Sequence, residues 1–285
     1  MTTLSDNGKL DRVLVATDGS EYSAGAIRTG VALAKSRNAK LIGLSIALYN
    51  PEYSTLVPNL AEEAEKRARE ALQSFLAEAG QDAETVTREA GDPYQGIVDG
   101  AKGYRADVVV IGRRGKRGLA RLRVGDTTAK VIGHTESAVL VCPRAARLWE
   151  KRVLAATDGS RHGAAAVGAA GHLAKQAGLP VTVVSVVTAS HSAARRQEAE
   201  RAVAAAVQRL KDMGVAAEGK TPEGRPDDAI VKTAEAVGAD LIVVGGHGRA
   251  GLKHILLGST VERVLDQTRC AVLVVKSACK DVAAD

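Results

Sequence analysis

Short apolar, mostly β-branched runs alternate along the chain with Ala-rich segments of helical length. The apolar runs predict strands at residues 11–16, 40–47, 84–88, 107–111, 138–142, 151–156, 180–187, 215–219, 240–244 and 271–275. The Ala-rich segments predict helices at residues 20–37, 61–79, 93–103, 126–133, 160–177, 192–213, 226–237 and 259–267. Continuous apolar runs are typical of strands buried on both faces. The pattern therefore predicts an α/β fold with doubly wound, parallel, five-stranded sheets flanked by helices.

The predicted elements occur twice. Three segments recur in the same order: 13–20 as 153–160, 107–112 as 240–245, and 137–142 as 270–275. Matches in constant order over such long offsets indicate a duplicated domain rather than a short-period solenoid. Pro143 ends the last strand of the first copy. We therefore expect two domains, at residues 1–147 and 148–285.

Polar, glycine-bearing turns follow the first and fourth strands of each copy. Open parallel sheets bind ligands beyond the carboxyl ends of their strands, where the strand order reverses. If the first and fourth strands are neighbours at that point, the two turns face one crevice. The organisation of the chain thus predicts a binding site in each copy.

The loop after the fourth strand of the second copy spans residues 245–260 and ends in Gly258-Ser259-Thr260, which opens a helix. Small residues let backbone amides approach an anion, and a helix N-terminus favours phosphate. Arg249 and Lys253 add positive charge. The alternative is structural, because Gly248 and Gly251 would serve turns and Ser259 would cap the helix. The loop considered alone leaves both interpretations open.

Two familiar nucleotide motifs do not apply. The sequence contains no GxxxxGK[ST] string, which excludes a P-loop NTPase. A GxGxxG match at residues 246–251 follows the fourth strand and not the first, and it lacks an acidic residue about 20 positions later. A dinucleotide fingerprint is therefore not expected.

The longer glycine spacing is more specific. Gly245-x2-Gly248-x9-Gly258-Ser259 resembles the G-2x-G-9x-G-[S/T] pattern of the ATP-binding branch of the universal stress protein family. The Thr-Asp-Gly-Ser turn and the terminal Val-Leu-Val-Val strand resemble the same family in the right order. The resemblance covers essentially the whole chain as two tandem copies. It implies a Rossmann-like, adenine nucleotide alpha hydrolase-like domain that holds ATP between the first and fourth strands.

The resemblance also implies which residues bind ATP in the second copy. Asp158 would lie against the adenine end, and the backbone of Val186, at the end of the second strand, would meet the base. The glycines would border the ribose and phosphates, and the helix N-terminus would meet the phosphates. The full implied set is Ala156, Thr157, Asp158, Val186, Gly245, Gly248, Arg249, Gly258, Ser259, Thr260 and Val261. A bridging Mg²⁺ or Mn²⁺ would be carried mainly by the nucleotide, so no metal ligands are assigned.

The first copy departs from this pattern. Its corresponding residues are Asp18, Gly112, Gly115, Gly125 and Asp126. Asp126 occupies the position of Ser259, and a carboxylate repels phosphate although it caps a helix well. Thr127 and Thr128 still offer hydroxyl groups. We therefore expect the first copy to have lost tight ATP binding, with a degenerate site.

A basic run crosses the same loop of the first copy. Its members are Arg113, Arg114, Lys116, Arg117, Arg121 and Arg123. Three interpretations stay open: a solvated loop, a site for another anion, and a surface for a partner.

Composition narrows the function classes. The chain has 285 residues with a formal net charge of +6, and aromatic residues make up only 2%. That scarcity argues against a binder of single-stranded nucleic acid, which stacks bases on aromatic rings. Three dispersed cysteines form neither a disulfide framework nor a metal pair, and the histidines lack ligand spacing. With no apolar run near 20 residues and no signal-peptide core, we expect a cytoplasmic protein with no membrane contact.

We therefore expect a nucleotide-binding stress or signalling module rather than a dedicated enzyme. The alternatives are a slow ATPase, which the missing general base disfavours, and an anion- or nucleic-acid-binding protein using residues 113–123. The expected partner is an adenine nucleotide. The family resemblance also implies pairing of domains through their last strands, so the strands at 138–142 and 271–275 are expected to pair within one chain as a pseudo-dimer, which would hide two sheet edges. Homodimerisation of the whole chain stays open.

Overall fold

The computed structural model describes residues 4–49, 59–115, 124–246 and 257–276. The strands in this part are β1 (Arg12–Ala16), β2 (Lys40–Leu48), β3 (Glu84–Ala90), β4 (Val108–Gly112), β5 (Ala138–Cys142), β6 (Val153–Ala156), β7 (Val181–Val184), β8 (Ala217–Lys220), β9 (Leu241–Gly245) and β10 (Ala271–Val275). The helices are α1 (Leu4–Asn7), α2 (Ala24–Arg37), α3 (Leu60–Ala79), α4 (Pro93–Gly103), α5 (Asp126–His134), α6 (Arg161–Ala177), α7 (Ala193–Asp212), α8 (Pro226–Ala236) and α9 (Ser259–Gln267). A 3-10 turn at Glu21–Ser23 precedes α2, where the sequence predicts continuous helix from residue 20.

The strands form a ten-stranded sheet in the order β3-β2-β1-β4-β5-β10-β9-β6-β7-β8. Within each copy neighbouring strands are parallel, and β1 pairs with β4 as β6 pairs with β9. The two halves join where β5 and β10 run antiparallel, with Leu140 opposite Leu273. The predicted doubly wound order and the predicted pairing of the last strands are both confirmed.

Both faces of the sheet are buried, which explains the uninterrupted apolar runs. Val13 and Val15 point into a core layer formed with α2, α3, α6 and α7. Leu14 and Ala16 point into the opposite layer, formed with α4, α5, α8 and α9. Each layer contains residues of both copies, so the two copies share their cores across the β5–β10 seam. Among the described residues, no helix has both the length and the apolar character that crossing a bilayer requires.

The second strand of the second copy is shorter than predicted. β7 ends at Val184, and its pairing resumes only as a single bridge between Val187 and Glu223. The amide of Val187 donates to the carbonyl of Pro222 at 3.0 Å. The Val187 carbonyl accepts in return from the Gly224 amide at 2.9 Å, so this bridge is complete. Two residues earlier, the Ser185 amide donates to the Lys220 carbonyl, but the return bond would need the amide of residue 222, a proline, so the ladder is interrupted there. Val186 therefore follows β7 as a half-buried residue outside the strand.

The segment before each copy's first strand packs on the helix that follows the first strand of the other copy. A methyl group added at Gly168 of α6 would lie 2.5 Å from the carbonyl oxygen of Ser5. On the other side, the Arg28 guanidinium of α2 donates to the carbonyls of Arg144 and Ala146 at 2.7 and 3.1 Å. These crossed segments tie the copies together beyond the sheet.

Candidate functional site

The turn after β1 is shaped by its own polar side chains. The Thr17 amide donates to the Leu44 carbonyl at 2.9 Å, which continues the sheet by one residue. The Gly19 amide donates to the Thr17 hydroxyl, and the Ser20 amide to the Asp18 carboxylate, both at 3.0 Å. Gly19 has φ +71°, in the left-handed region that favours glycine. The Thr-Asp-Gly-Ser sequence thus dictates a tight turn at the carboxyl end of the sheet.

The turn after β6 repeats these bonds. The Thr157 amide donates to the Val184 carbonyl at 2.9 Å. The Gly159 amide donates to the Thr157 hydroxyl at 3.2 Å, and the Ser160 amide to the Asp158 carboxylate at 2.9 Å. Ser160, and not Asp158, is the N-cap of α6. Asp158 therefore closes the turn rather than capping the helix.

Glycines at the ends of β4 and β9 bring the two turns of each copy together. A methyl group added at Gly112 would lie 2.8 Å from the carbonyl oxygen of Tyr22. At Gly245 it would lie 2.7 Å from the backbone of His162. Both glycines permit close approach of the chain after the first strand. Their repetition therefore has a packing cause in addition to any ligand.

At the start of helix α9, no cap bond from a side chain is found among the described residues. Gly258 is its N-cap, so Ser259 is the first helical residue and its side chain makes no cap bond within the described residues. The Gly258 amide donates to the Gly246 carbonyl at 3.2 Å, which joins the two ends of the loop between β9 and α9. Ser259 is exposed and Val261 is buried under the helix. The structural alternative that Ser259 caps this helix is wrong.

Helix α5 begins in the same way, with a different first residue. Gly125 is the N-cap, and Asp126 makes no cap bond within the described residues, although aspartate favours such a bond. Its carboxylate instead lies 2.8 Å from the Lys130 ammonium one turn later. This hydrogen bond raises the pKa of Lys130. The Thr128 hydroxyl is also occupied, because it donates to the Gly112 carbonyl at 3.0 Å.

The crevice of the first copy contains a cavity of about 570 Å³. Its walls include the ends of β1 and β2, helix α3 and the N-terminus of α5. All of the residues predicted for the first-copy site line it: Asp18, Gly112, Gly115, Gly125 and Asp126. The volume is typical of small-molecule sites. Apolar residues such as Leu44, Ile46 and Ala68 complete the wall of the cavity. The sequence pattern did not distinguish them from ordinary core residues.

The second crevice is described in part. The predicted Ala156, Thr157 and Asp158 lie at the end of β6 and in its turn, beside Gly245 at the end of the neighbouring β9. The N-terminus of α9 supplies the predicted Gly258, Ser259, Thr260 and Val261. Gly248 and Arg249 lie outside the described residues, as do Lys116, Arg117, Arg121 and Arg123 of the first-copy basic run.

Arg113, the first member of that basic run, points away from the crevice. Its guanidinium donates to backbone carbonyls at the C-terminal end of α9 in the other copy. Arg114, in contrast, lines the first cavity. Within the described part of the chain, no cluster of three or more His, Cys, Asp and Glu side chains is placed to hold a metal ion.

Comparisons with known proteins agree with this architecture. The model of the universal stress protein family matches residues 9–143 and again 150–276. A universal stress protein of Synechocystis sp. is 30% identical over 147 residues, covering 46% of this chain and 96% of the relative. A universal stress protein of Methanocaldococcus jannaschii is 34% identical over 144 residues, covering 46% of this chain and 85% of the relative.

Among solved structures, a universal stress protein from Archaeoglobus fulgidus superimposes with a TM-score of 0.71. It is 20% identical and covers 93% of this chain and 96% of its own, so it establishes the fold over both copies. The two family matches and the duplicated sheet lead to one conclusion. The chain belongs to the universal stress protein family and carries two of its domains in tandem.

Proposed function

We propose that the second copy binds ATP and that the protein acts as a nucleotide-responsive stress and signalling module. The observation that carries the proposal is the N-terminus of α9, where a glycine N-cap leaves the first-turn donors without a side-chain cap among the described residues. Free amides at the positive end of a helix dipole favour a phosphate group. The hydroxyls of Ser259 and Thr260 add further donors at the same end.

The nucleoside end of this proposed site is formed by the turn after β6. β6 and β9 are adjacent in the sheet, so Asp158 and the start of the loop after Gly245 lie on the same edge. A ligand that spans from this turn to α9 would cross the carboxyl ends of the strands, as is usual in doubly wound folds. A divalent ion would reach this site bound to the phosphates.

We further propose that the first copy binds ATP more weakly than the second. Asp126 places a carboxylate at the first residue of α5, where the second copy has the Ser259 hydroxyl. The ion pair with Lys130 offsets part of its charge, but a carboxylate still donates no hydrogen bond to phosphate.

Isothermal titration of the whole chain with Mg-ATP tests the site assignment. We expect Ser259→Asp to weaken binding at least about tenfold, equivalent to roughly 1.4 kcal/mol. The matched control is Ser192→Asp, which adds the same charge at the N-cap of α7, where aspartate is tolerated. Equal binding by the wild type and Ser259→Asp, or no binding by either, would contradict the assignment. Phosphate release from the same samples tests the slow-ATPase alternative.

A further inference from the structure

The loop after β4 is held at both ends by helix α9 of the other copy. At its start, the Arg113 guanidinium donates through one nitrogen, Nη1, to the carbonyls of Leu265, Asp266 and Thr268, at 3.0, 3.2 and 3.0 Å. At its end, the Val124 amide donates to the Asp266 carboxylate. Two residues of the first copy thus close on the last turn of a second-copy helix.

These two ends form one unit that borders the first crevice. The Gly125 amide donates to the Arg113 carbonyl at 3.0 Å, so the start and the end of the loop are bonded to each other. Gly112 precedes Arg113 and Asp126 follows Gly125, and all but Arg113 line the first cavity. A shift of the last turn of α9 therefore acts directly on the wall of that cavity.

The arrangement has no symmetric counterpart in the sequence. At the offset that aligns β4 with β9, Arg113 corresponds to Gly246 and Asp266 corresponds to Gly133. Neither glycine has a side chain with which to repeat the contacts. Within the described part of the chain, the end of α5 instead receives one bond from the other copy, from the Lys276 ammonium to the Gly133 carbonyl at 2.8 Å. As far as the described residues extend, the side-chain contacts of this kind are therefore made to α9 and not to α5.

Two physical effects favour strong contacts between the ends of this loop and the last turn of α9. A guanidinium at the last carbonyls of a helix satisfies groups that have no intrahelical partner and complements the negative end of the dipole. Burial lowers the pKa of Arg113 and raises that of Asp266, so both groups are partly removed from water. Loss of either partner would leave a partly buried charge or backbone groups without their bonds.

Helix α9 is short enough to transmit a displacement from one end to the other. It has nine residues, or a length of about 13 Å at ~1.5 Å per residue. Its first turn carries Ser259 and Thr260, and its last turn carries Asp266. A body of this length packed on the sheet moves as a unit more readily than it bends.

We propose that Arg113 and Asp266 form a latch that couples the two crevices, so that occupancy at the N-terminus of α9 sets the position of the loop neck at Arg113 and Gly125. The latch rests on the proposed function for one of its ends, because ATP is the ligand expected at Ser259. Arg113 is then a positioning residue for a site in the other copy. Among the described residues, the second copy makes no equivalent contact with α5.

A ligand-free experiment tests the mechanical coupling by itself. Hydrogen exchange is measured at the Glu262 amide, which donates to the Gly258 carbonyl in the first hydrogen-bonded turn of α9. Arg113→Gln should speed this exchange several-fold, although residue 113 lies at the other end of the helix. The matched control, Arg28→Gln, removes two guanidinium–carbonyl bonds of the same kind away from α9 and should leave Glu262 unchanged. An unchanged Glu262 in Arg113→Gln overturns the latch, whether or not ATP binds.

The second arm adds Mg-ATP. We expect ATP to slow exchange at the Val124 amide in the wild type and Asp266→Ala to abolish that response. Asp266→Asn should restore part of it, since the amide oxygen still accepts a hydrogen bond. Arg113→Gln should weaken ATP binding about five-fold, at the lower end of coupling between sites, while Arg28→Gln binds as the wild type does. If ATP binds normally but does not change hydrogen exchange at the Val124 amide, the latch is overturned. If ATP does not bind at all, the proposed function is overturned, and the ligand-free experiment alone tests the coupling.

Discussion

The two copies are alike where their first strand ends and differ where the helix after their fourth strand begins. In the turn after β1 the three defining bonds measure 2.9, 3.0 and 3.0 Å, and in the turn after β6 they measure 2.9, 3.2 and 2.9 Å. At the helix start, one copy has a serine and the other an aspartate paired with Lys130. The turn is constrained by the fold, because its bonds continue the sheet. The helix start is not constrained in this way, because the first side chain of the helix, Asp126 or Ser259, makes no cap bond within the residues that the structure describes.

The terminal glycines of β4 and β9 offer the strongest test of what the fold requires in both copies. Gly112→Ala and Gly245→Ala each place a methyl group within 2.8 Å of backbone atoms. Backbone cannot move aside as a flexible side chain can, so we expect each variant to lose about 2 kcal/mol or more of unfolding free energy. Urea unfolding without nucleotide measures the loss.

Gly91→Ala is the control for these substitutions, because nothing lies within 4 Å of a methyl group added there. It should remain within about 0.5 kcal/mol of the wild type. If Gly245→Ala were as stable as Gly91→Ala and only ATP binding suffered, Gly245 would be a ligand contact and not a packing residue. The similarity of the two copies at this point would then have a functional cause.

The sequence predicts most of the fold because the apolar runs are long and unbroken. Val13 through Ala16 are buried on alternating faces, and no polar residue interrupts them. The family resemblance implied both the adjacency of β1 and β4 and the β5–β10 pairing, and the pairing also covers two sheet edges. The predicted β7 was too long because the interruption comes from Pro222, which follows the neighbouring strand β8 and has no amide to donate.

The contacts of the site residues were harder to predict, because their side chains can bond either to residues nearby in the sequence or to residues far away in it. Asp126 has a lysine at i+4, and this pair competes with the capping that the residue type favours. Arg113 belongs to a basic run, yet its guanidinium bonds to carbonyls about 150 positions later. That partner becomes visible only once β5 and β10 pair. The predicted role of the remaining basic residues stays a prediction.

The difference at the start of the helix after the fourth strand can be tested by giving the first copy the residue that the second copy has there. In a Ser259→Asp background, Asp126→Ser should raise ATP affinity at the first crevice about tenfold, since it removes a like charge and adds a donor. Titration calorimetry measures the affinity. Asp126→Asn separates the two causes, because it removes the charge without supplying a hydroxyl. An affinity unchanged in both variants would locate the difference between the copies elsewhere in the loop.

The smallest expected effect concerns the basic side chains that bond to the C-terminal carbonyls of α5 and α9. Lys276 makes one bond to the Gly133 carbonyl, and burial lowers its pKa to about 8, while Glu136 opposes the shift. The unfolded chain keeps a lysine pKa near 10.5, so between pH 8 and 10.5 it binds more protons than the folded chain. The unfolding free energy should therefore rise with pH across that window and gain nothing further above it.

Lys276→Met should lack this rise, whereas Lys211→Met, which replaces an exposed lysine on α7, should keep it because Lys276 remains. Water screens this half-buried ammonium, so we expect a difference below about 1 kcal/mol in urea unfolding at the two ends of the window. A rise of equal size in Lys276→Met would mean that the ammonium is not desolvated at the end of α5. The contrast with Arg113 would then rest on the number of bonds alone, which is three against one among the described residues.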